Sequence, residues 1–355
     1  MDDFLIVGGG LAGAAAALHL SRHHRVRLLE AGGPATGASG AAAGLVNPLM
    51  ARKAHLAWRA DEALDALDEL LDLAGATALF RTTGVLRPAS DVRQAGFFRE
   101  AAEAHPQHGV WLEVEAAQER WPDVRLPQGA LLVRTGGAID VAALTEALLA
   151  AAQRNGADVQ TDVRATGWGE TESGAYVDVL REKQSTERLH SDCVLLALGY
   201  GYADDSELRR LHLHAVKGQT VRVASPRGIG PLPCVSGRGY VVPEADEWVV
   251  GSSYEHDFTD VRPSPEATRR ILSKTAQMLP CLENAHVLRE VAGVRVGVPG
   301  TRLPMVGPLP GRERIWTFTG LGSKGLLMAP LLARALPDFF RDPSAIPAEV
   351  RVQQM

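Results

Sequence analysis

Residues 4–30 read strand, glycine turn, helix, strand: Phe4-Leu5-Ile6-Val7, then Gly8-Gly9-Gly10-Leu11-Ala12-Gly13, an Ala/Leu-rich stretch to Leu20, and Val26-Arg27-Leu28-Leu29-Glu30. That order specifies a βαβ unit, because two parallel strands need a crossover between them. Gly8 permits the tight turn off the first strand, Gly10 lets backbone approach a pyrophosphate, and Gly13 lets helix and strand pack closely. Leu11 and Ala12 open the helix, whose N-terminus carries partial positive charge for such an anion. Glu30 falls 17 residues after Gly13, placed to accept hydrogen bonds from a ribose diol. An acid there disfavours a 2′-phosphate. The first thirty residues alone leave NAD and FAD both open.

Composition narrows the function classes. The chain has 355 residues, 46% of them hydrophobic, a length and composition for about two globular domains of ~100–200 residues each. Its 37 basic residues are outnumbered by 42 acidic ones, for a net charge of -5, so nucleic acid is not the default partner. The basic set is 32 Arg and 5 Lys (Lys53, Lys183, Lys217, Lys274 and Lys324), a bias that reads as background before it reads as function. Cys193, Cys234 and Cys281 are too few and too scattered for a disulfide framework or a metal site, and a reducing cytoplasm is the expected compartment. The start, Met1-Asp2-Asp3-Phe4, lacks the basic n-region of a signal peptide, and no run approaches the ~18 apolar residues of a membrane span.

Beyond Glu30, a small-residue segment from Ala31 to Gly44 exposes backbone amides, as in loops that approach a ligand closely. Apolar positions at helical spacing predict a helix over 55–74, stopped by Gly75. The stretch 84–135 is mixed and punctuated by Pro, ending in a strand at 130–134. Asp140 is an N-cap for a helix over 141–154, and a meander follows, returning to a buried strand that ends at Gly199. From Ala215 to Tyr254 the pattern is β-rich, with a helix near 265–279 and a strand over 289–298. The strand 315–318 then runs into Gly320-Leu321-Gly322-Ser323-Lys324-Gly325 and a helix to about Phe340. The tail from Asp342 to Met355 reads as a surface extension.

The segment Gly37-Ala38-Ser39-Gly40-Ala41-Ala42-Ala43-Gly44 separates the cofactors, because here the chain resembles the D-amino-acid-oxidase-like family of FAD-dependent oxidoreductases. The resemblance runs through Gly136–Asp140, Ala197-Leu198-Gly199, Val216–Gln219, Gly237–Pro243 and the final glycine cluster. It implies an α/β fold: a Rossmann-like FAD-binding domain of the glutathione-reductase type, with an interleaved α+β substrate domain built on an antiparallel sheet. The expected division is 1–47, 136–205 and 300–355 for FAD, and 48–135 and 206–299 for substrate. Cofactor contacts are expected from Gly8, Gly10, Leu11, Ala12, Gly13, Glu30, Ala38, Ser39, Gly40, Gly44 and Gly199, and from Gly320, Gly322, Ser323, Lys324 and Gly325. Amides at the second helix N-terminus would point outward and stabilise negative charge on reduced flavin. That run is not a P-loop, because Lys324 precedes its last glycine, and the 37–41 segment is not a nucleophile elbow. With no Cys after Arg295 for a thioether link, FAD is expected to be non-covalent.

The resemblance also places Arg295 where an Arg clamps a substrate carboxylate, a pairing suited to the planar guanidinium fork, and Tyr240 near the same carboxylate. In this chain Arg295 is followed by Val296 where relatives carry Pro, and no Asp precedes Pro304. Lys217 and Lys324 are candidate charges near flavin. His212 and His214 share a strand face but have no third ligand at metal spacing, so no metal is expected. The leading expectation is oxidation of the C–N bond of a small amine or amino acid by hydride transfer to flavin N5, giving an imine that hydrolyses, with oxygen or another acceptor reoxidising the flavin. Two alternatives stand beside it: a flavin-dependent modification of a carboxymethylaminomethyl wobble uridine in tRNA, disfavoured by the acidic balance and the lack of a fused partner domain, and an NAD-dependent dehydrogenase.

Overall fold

The computed structural model describes residues 2–181 and 186–353; Lys183 and Met355 therefore lie outside the described residues. Strand Asp2–Val7, helix Leu11–Leu20 and strand Val26–Leu29 form the βαβ unit, with Phe4–Val7 in parallel register against Val26–Leu29. The helix has no polar face. All its residues but Ala12 are buried, between the sheet and the helices Val141–Arg154 and Gly325–Arg341. Its run of alanines is what lets three elements close on it, since a helix apolar all round is a core helix.

The long strand Thr186–Leu196 organises the first eight-stranded sheet. Its first half pairs antiparallel with Gly174–Leu180, while its second half runs parallel beside Asp2–Val7 on one side and Ile315–Thr319 on the other. The carboxyl ends of those parallel strands, at Val7, Leu196 and Thr319, come out together, which is where open α/β sheets place ligands.

A second eight-stranded sheet runs in the order Val287–Gly297, His214–Ala224, Glu247–Gly251, Gly239–Pro243, Cys234–Gly237, Val85–Pro88, Ala130–Val133, Gly109–Leu112. It is antiparallel except between Cys234–Gly237 and Val85–Pro88. That parallel pair joins strands far apart in the chain, where no hairpin dictates direction. Leu86, Val221, Val235, Val241 and Val250 pack one face against Ile271 and Leu279. The opposite face carries Thr220, Tyr240 and Arg295.

Several boundaries differ from expectation. The helix predicted from residue 55 begins at Ala60, because His55–Leu56 pairs back on Leu49–Met50 as a short hairpin. Helices Val92–Ala104 and Val114–Arg120 occupy the stretch that read as mixed. The helix near 265–279 ends at Thr275. Asp140 does cap its helix, accepting from the Ala142 and Ala143 amides at 3.0 and 3.1 Å. The tail is not a loose extension: Ile346 and Val350 are buried, and the Val306 amide donates to the Val350 carbonyl at 2.8 Å. Apolar residues spaced four apart gave it a buried side.

Candidate active site

Between the glycine turn of the first sheet and the second sheet's open face lies a cavity of about 1330 Å³. Gly8, Gly10, Leu11, Ala12 and Glu30 form one wall, with Ala38, Ser39 and Gly44 beside them. Gly199, Gly320, Gly322, Ser323 and Gly325 close the far side, and Tyr240 and Arg295 line the same space. Of the cofactor and substrate residues singled out in the sequence, Gly13, Gly40, Lys217 and Lys324 do not line it, nor do His212 and His214.

Gly13 acts from underneath. A Cβ there would sit 1.9 Å from the Gly8 carbonyl oxygen, and one at Gly8, whose φ is +110°, would sit 2.4 Å from the Ala197 carbonyl oxygen. These two glycines therefore allow helix, turn and neighbouring strand to nest. Gly40 similarly underlies its loop, where a Cβ would meet the Ala35 carbonyl at 2.0 Å. Glu30 holds the turn from the side, accepting from the Gly9 amide at 2.6 Å and the Gly32 amide at 3.0 Å. Ser39 Oγ accepts from the Leu11 amide at 3.0 Å, on the first helical residue.

At the other glycine cluster, Gly320 and Gly322 have φ of +76° and +55°. The Gly322 amide donates to the Val296 carbonyl at 2.8 Å and the Lys324 amide to Leu321 at 2.9 Å. The Gly322 amide thus ties the cluster to the strand that carries Arg295 and the Lys324 amide closes the turn, so neither is available to a ligand, and both precede the helix that starts at Gly325. Burial, with Arg302 nearby, lowers the pKa of Lys324. Lys217 is also buried and faces Glu255 and Asp260, each at 3.7 Å. His214 Nε2 stands 2.8 Å from His256 Nδ1.

Arg295 has no carboxylate partner among the described residues. One Nη donates to the Ser253 carbonyl at 3.1 Å, and the guanidinium lies over the Tyr254 ring. Glycines inside neighbouring strands make room: a Cβ on Gly218 would fall 2.5 Å from Arg295 Nη2, and one on Gly251 would fall 2.5 Å from the Tyr240 ring. Burial pushes the Tyr240 hydroxyl above its ordinary pKa, with Ser252 and Arg295 pulling the other way. Its phenol thus stays protonated, a donor, at neutral pH.

Tyr254, Ser252, Thr319, Thr220 and Gly293 were missed in the sequence. Thr220 Oγ1 donates to the Ala41 carbonyl at 3.4 Å, and a Cβ on Gly293 would meet Ala41 Cβ at 2.8 Å, so the small-residue loop lies flat on the second sheet. Ser252 and Thr319 are buried and line the cavity; Ser252 neighbours the Tyr240 hydroxyl as a hydrogen-bonding group, whereas Thr319 Oγ1 has no partner among the described residues. The available signal was glycine within strand patterns at 218, 251 and 293, which marks close approach of another group.

A Rossmann-type nucleotide cradle facing a sheet that presents Arg and Tyr defines a dinucleotide-dependent oxidoreductase. Residues 3–338 match the family model for FAD-dependent oxidoreductases called DAO, and the chain belongs to that family. FAD is therefore its cofactor, and the nicotinamide alternative is set aside. The site fits it: the glycine turn leaves room for a pyrophosphate, Glu30 flanks the ribose position, and Thr319 offers a buried hydroxyl with no partner among the described residues. None of the three cysteines lines the cavity.

Among curated relatives, the tRNA 5-methylaminomethyl-2-thiouridine biosynthesis bifunctional protein MnmC of Idiomarina loihiensis is 29% identical over 94% of this chain and 55% of its own length. The chain thus spans about half the length of that relative. Glycine oxidase of Pseudomonas aeruginosa is 28% identical over 98% of this chain and 97% of its own. The crystal structure of glycine oxidase from Geobacillus kaustophilus superposes with a TM-score of 0.84 at 24% identity, covering 100% of this chain and 99% of that one, a likeness of fold. Among the described residues no helix is long and apolar enough to cross a membrane.

Proposed function

We propose that this chain oxidises the C–N bond of a small amine bearing a carboxylate, an amino acid or N-substituted glycine, to an imine that hydrolyses. The observation that carries this reading is Arg295: a cation without an acidic partner, fixed by a carbonyl and a ring, in the same cavity as the nucleotide cradle. FAD, when bound, supplies the two-electron acceptor. The protein's part is to hold the carboxylate on the Arg295 fork, to donate from Tyr240 and to orient the amine-bearing carbon. No protein base is required, because the neutral amine's lone pair drives loss of the α-hydrogen. Under this reading 1–47, 136–205 and 300–355 bind FAD without a covalent bond, and 48–135 and 206–299 bind substrate. A cytoplasmic setting belongs to the same proposal, supported by three free cysteines.

The test is anaerobic mixing of the purified holoprotein with glycine, sarcosine, longer N-alkyl glycines and D-amino acids. One class should bleach the absorbance near ~450 nm, and admitting air then tells whether oxygen restores it. No bleaching by any of them would sink the proposal.

One observation favours a second substrate, a carboxymethylaminomethyl uridine in tRNA. Arg125, Arg238 and Lys274 are exposed at the cavity mouth without ion pairs among the described residues; the Arg125 amide donates to the Met278 carbonyl at 2.8 Å and the Arg238 amide to its sulfur at 3.1 Å. A basic rim of this kind suits phosphates despite the net charge of -5. Binding of tRNA that weakens steeply with salt supports this reading, and salt-independent or absent binding removes it.

A further inference from the structure

Arg87, on the strand Val85–Pro88, is a buried cation that neither reading uses. It is 6% exposed, and burial lowers its pKa to about 10. Among the described residues it has no acidic partner. Its two Nη atoms donate to the Leu49 and Ala51 carbonyls, its guanidinium lies 4.7 Å from the Phe98 ring centroid, and its buried Nε has no partner among the described residues. A guanidinium has five N–H donors, and two hydrogen bonds are recorded for this one. A charge so far from water needs a counter-charge or a full set of acceptors. Arg87 has neither, and it lines the cavity.

Strand register places it relative to the proposed carboxylate site. Thr220 opposes Gly251, Gly251 opposes Tyr240, and Tyr240 opposes Ser236. The parallel pairing of Val235 with Leu86 continues to set Arg87 level with Ser236. Residues directly opposite share a face, so Arg87, Tyr240 and Thr220 all face the cavity. Arg87 lies two strands from Tyr240, about 10 Å at the usual strand spacing, and five strands, about 24 Å between backbones, from Arg295, whose guanidinium leans back over Gly218 on the next strand towards Tyr240. The wall around it is polar and braced: Gln94 donates from Nε2 to the Arg52 carbonyl at 3.2 Å and accepts from the Ser90 amide at 2.9 Å. Of the cavity's cations Arg52 is paired with Asp91 at 2.8 Å, while Arg87, Arg125, Arg238, Lys274 and Arg295 have no ion pair among the described residues, and Glu30 is the one carboxylate in the lining.

We propose that Arg87 forms a second anion subsite, so that the substrate is a dianionic amine with one carboxylate on Arg295 and a second oxyanion, remote from the reacting carbon, on Arg87. This rests on the carboxylate-clamping role proposed for Arg295. It explains why the unpaired guanidinium persists: the missing counter-charge arrives with the ligand.

The experiment is calorimetric titration of the holoprotein with unreactive probes, acetate and the straight-chain dicarboxylates from malonate to dodecanedioate, alongside the ω-phosphonocarboxylate of the best length. One dicarboxylate or its phosphono analogue should bind at least 10-fold more tightly than acetate, and which of the two is tighter identifies the oxyanion. Arg87→Leu should abolish that preference while leaving the acetate Kd within 2-fold, whereas Arg295→Leu should weaken acetate and the longer probes alike. If the Leu variant fails to fold, Arg87→Lys, which keeps the charge and loses the fork, should reduce the preference at least 3-fold. The proposal is overturned if the wild type prefers no longer probe, or if Arg87 variants change acetate and dicarboxylate equally. Failure of the Arg295 role alone is distinct: acetate affinity then ignores Arg295→Leu while the Arg87-dependent preference remains.

Discussion

The guanidinium carbon of Arg295 lies 4.3 Å from the centroid of the Tyr254 ring, which belongs to the loop after strand Glu247–Gly251. The ring is 60% exposed, an uncommon state for a large aromatic, and its stacking with Arg295 accounts for its position. One face of the fork lies on the ring and one Nη donates to the Ser253 carbonyl, which fixes the guanidinium in the orientation on which the proposed carboxylate role depends. Arg295→Lys keeps the charge and loses both fork and stack. We expect KM for carboxylate-bearing amines to rise by roughly 10–100-fold, the equivalent of about 1.5–3 kcal/mol. Tyr254→Ala should cost about 2–5-fold, from the ~0.5–1 kcal/mol of an exposed cation–π contact. Both variants should retain wild-type flavin absorbance per mole of protein. An unchanged KM in Arg295→Lys would remove that residue from substrate binding.

The glycines of the cofactor turn are not equivalent. A methyl on Gly13 would overlap the Gly8 carbonyl oxygen at 1.9 Å, an approach no side-chain adjustment relieves, whereas a Cβ on Gly37 meets nothing within 4 Å. Gly13→Ala is expected to yield protein without flavin or no soluble protein, while Gly37→Ala keeps both flavin content and melting temperature within a few degrees of wild type. Absorbance spectra and thermal melts of the two purified variants check this. Full flavin occupancy in Gly13→Ala would contradict the packing described here.

What was legible in the sequence was whatever is local. Gly8, Gly10, Gly13 and Glu30 work within one βαβ unit, and Asp140 caps the helix that starts one residue later, so spacing carried their meaning. The substrate wall was less legible because it is assembled from strands distant in the chain. Thr220, Gly251 and Tyr240 become neighbours only through antiparallel register, and Arg87 joins them through a parallel pairing that no hairpin announces. Lys217 shows the converse. Its place beside a family-like Gly-Gln segment suggested a role at the flavin, yet two carboxylates from the loop after residue 254 face its ammonium group. The tail misled for a third reason: Ile346 and Val350 sit in a short stretch broken by Pro343 and Pro347, and the groove they fill is made by a strand some forty residues earlier.

His19 sits within the buried helix Leu11–Leu20, and its Nε2 has no hydrogen-bond partner among the described residues. Burial lowers its pKa from 6.5 to about 4, with Arg22 and Arg334 acting in the same direction and Glu69 opposing them. Above pH 6.5 the residue is neutral in both folded and unfolded chains and contributes no pH dependence. As pH falls from 6.5 towards 4, the unfolded chain takes up a proton that the folded chain refuses, so stability is lost across that window. The full loss is on the order of 3 kcal/mol. His19→Leu has no proton to take up and keeps an apolar side chain in an apolar setting. Urea unfolding of wild type and variant at pH 7.5 and pH 4.5 is therefore expected to show a smaller acid-induced drop in the variant, by about 2 kcal/mol. Equal drops in the two proteins would assign the acid sensitivity to other groups and leave His19 as a packing residue only.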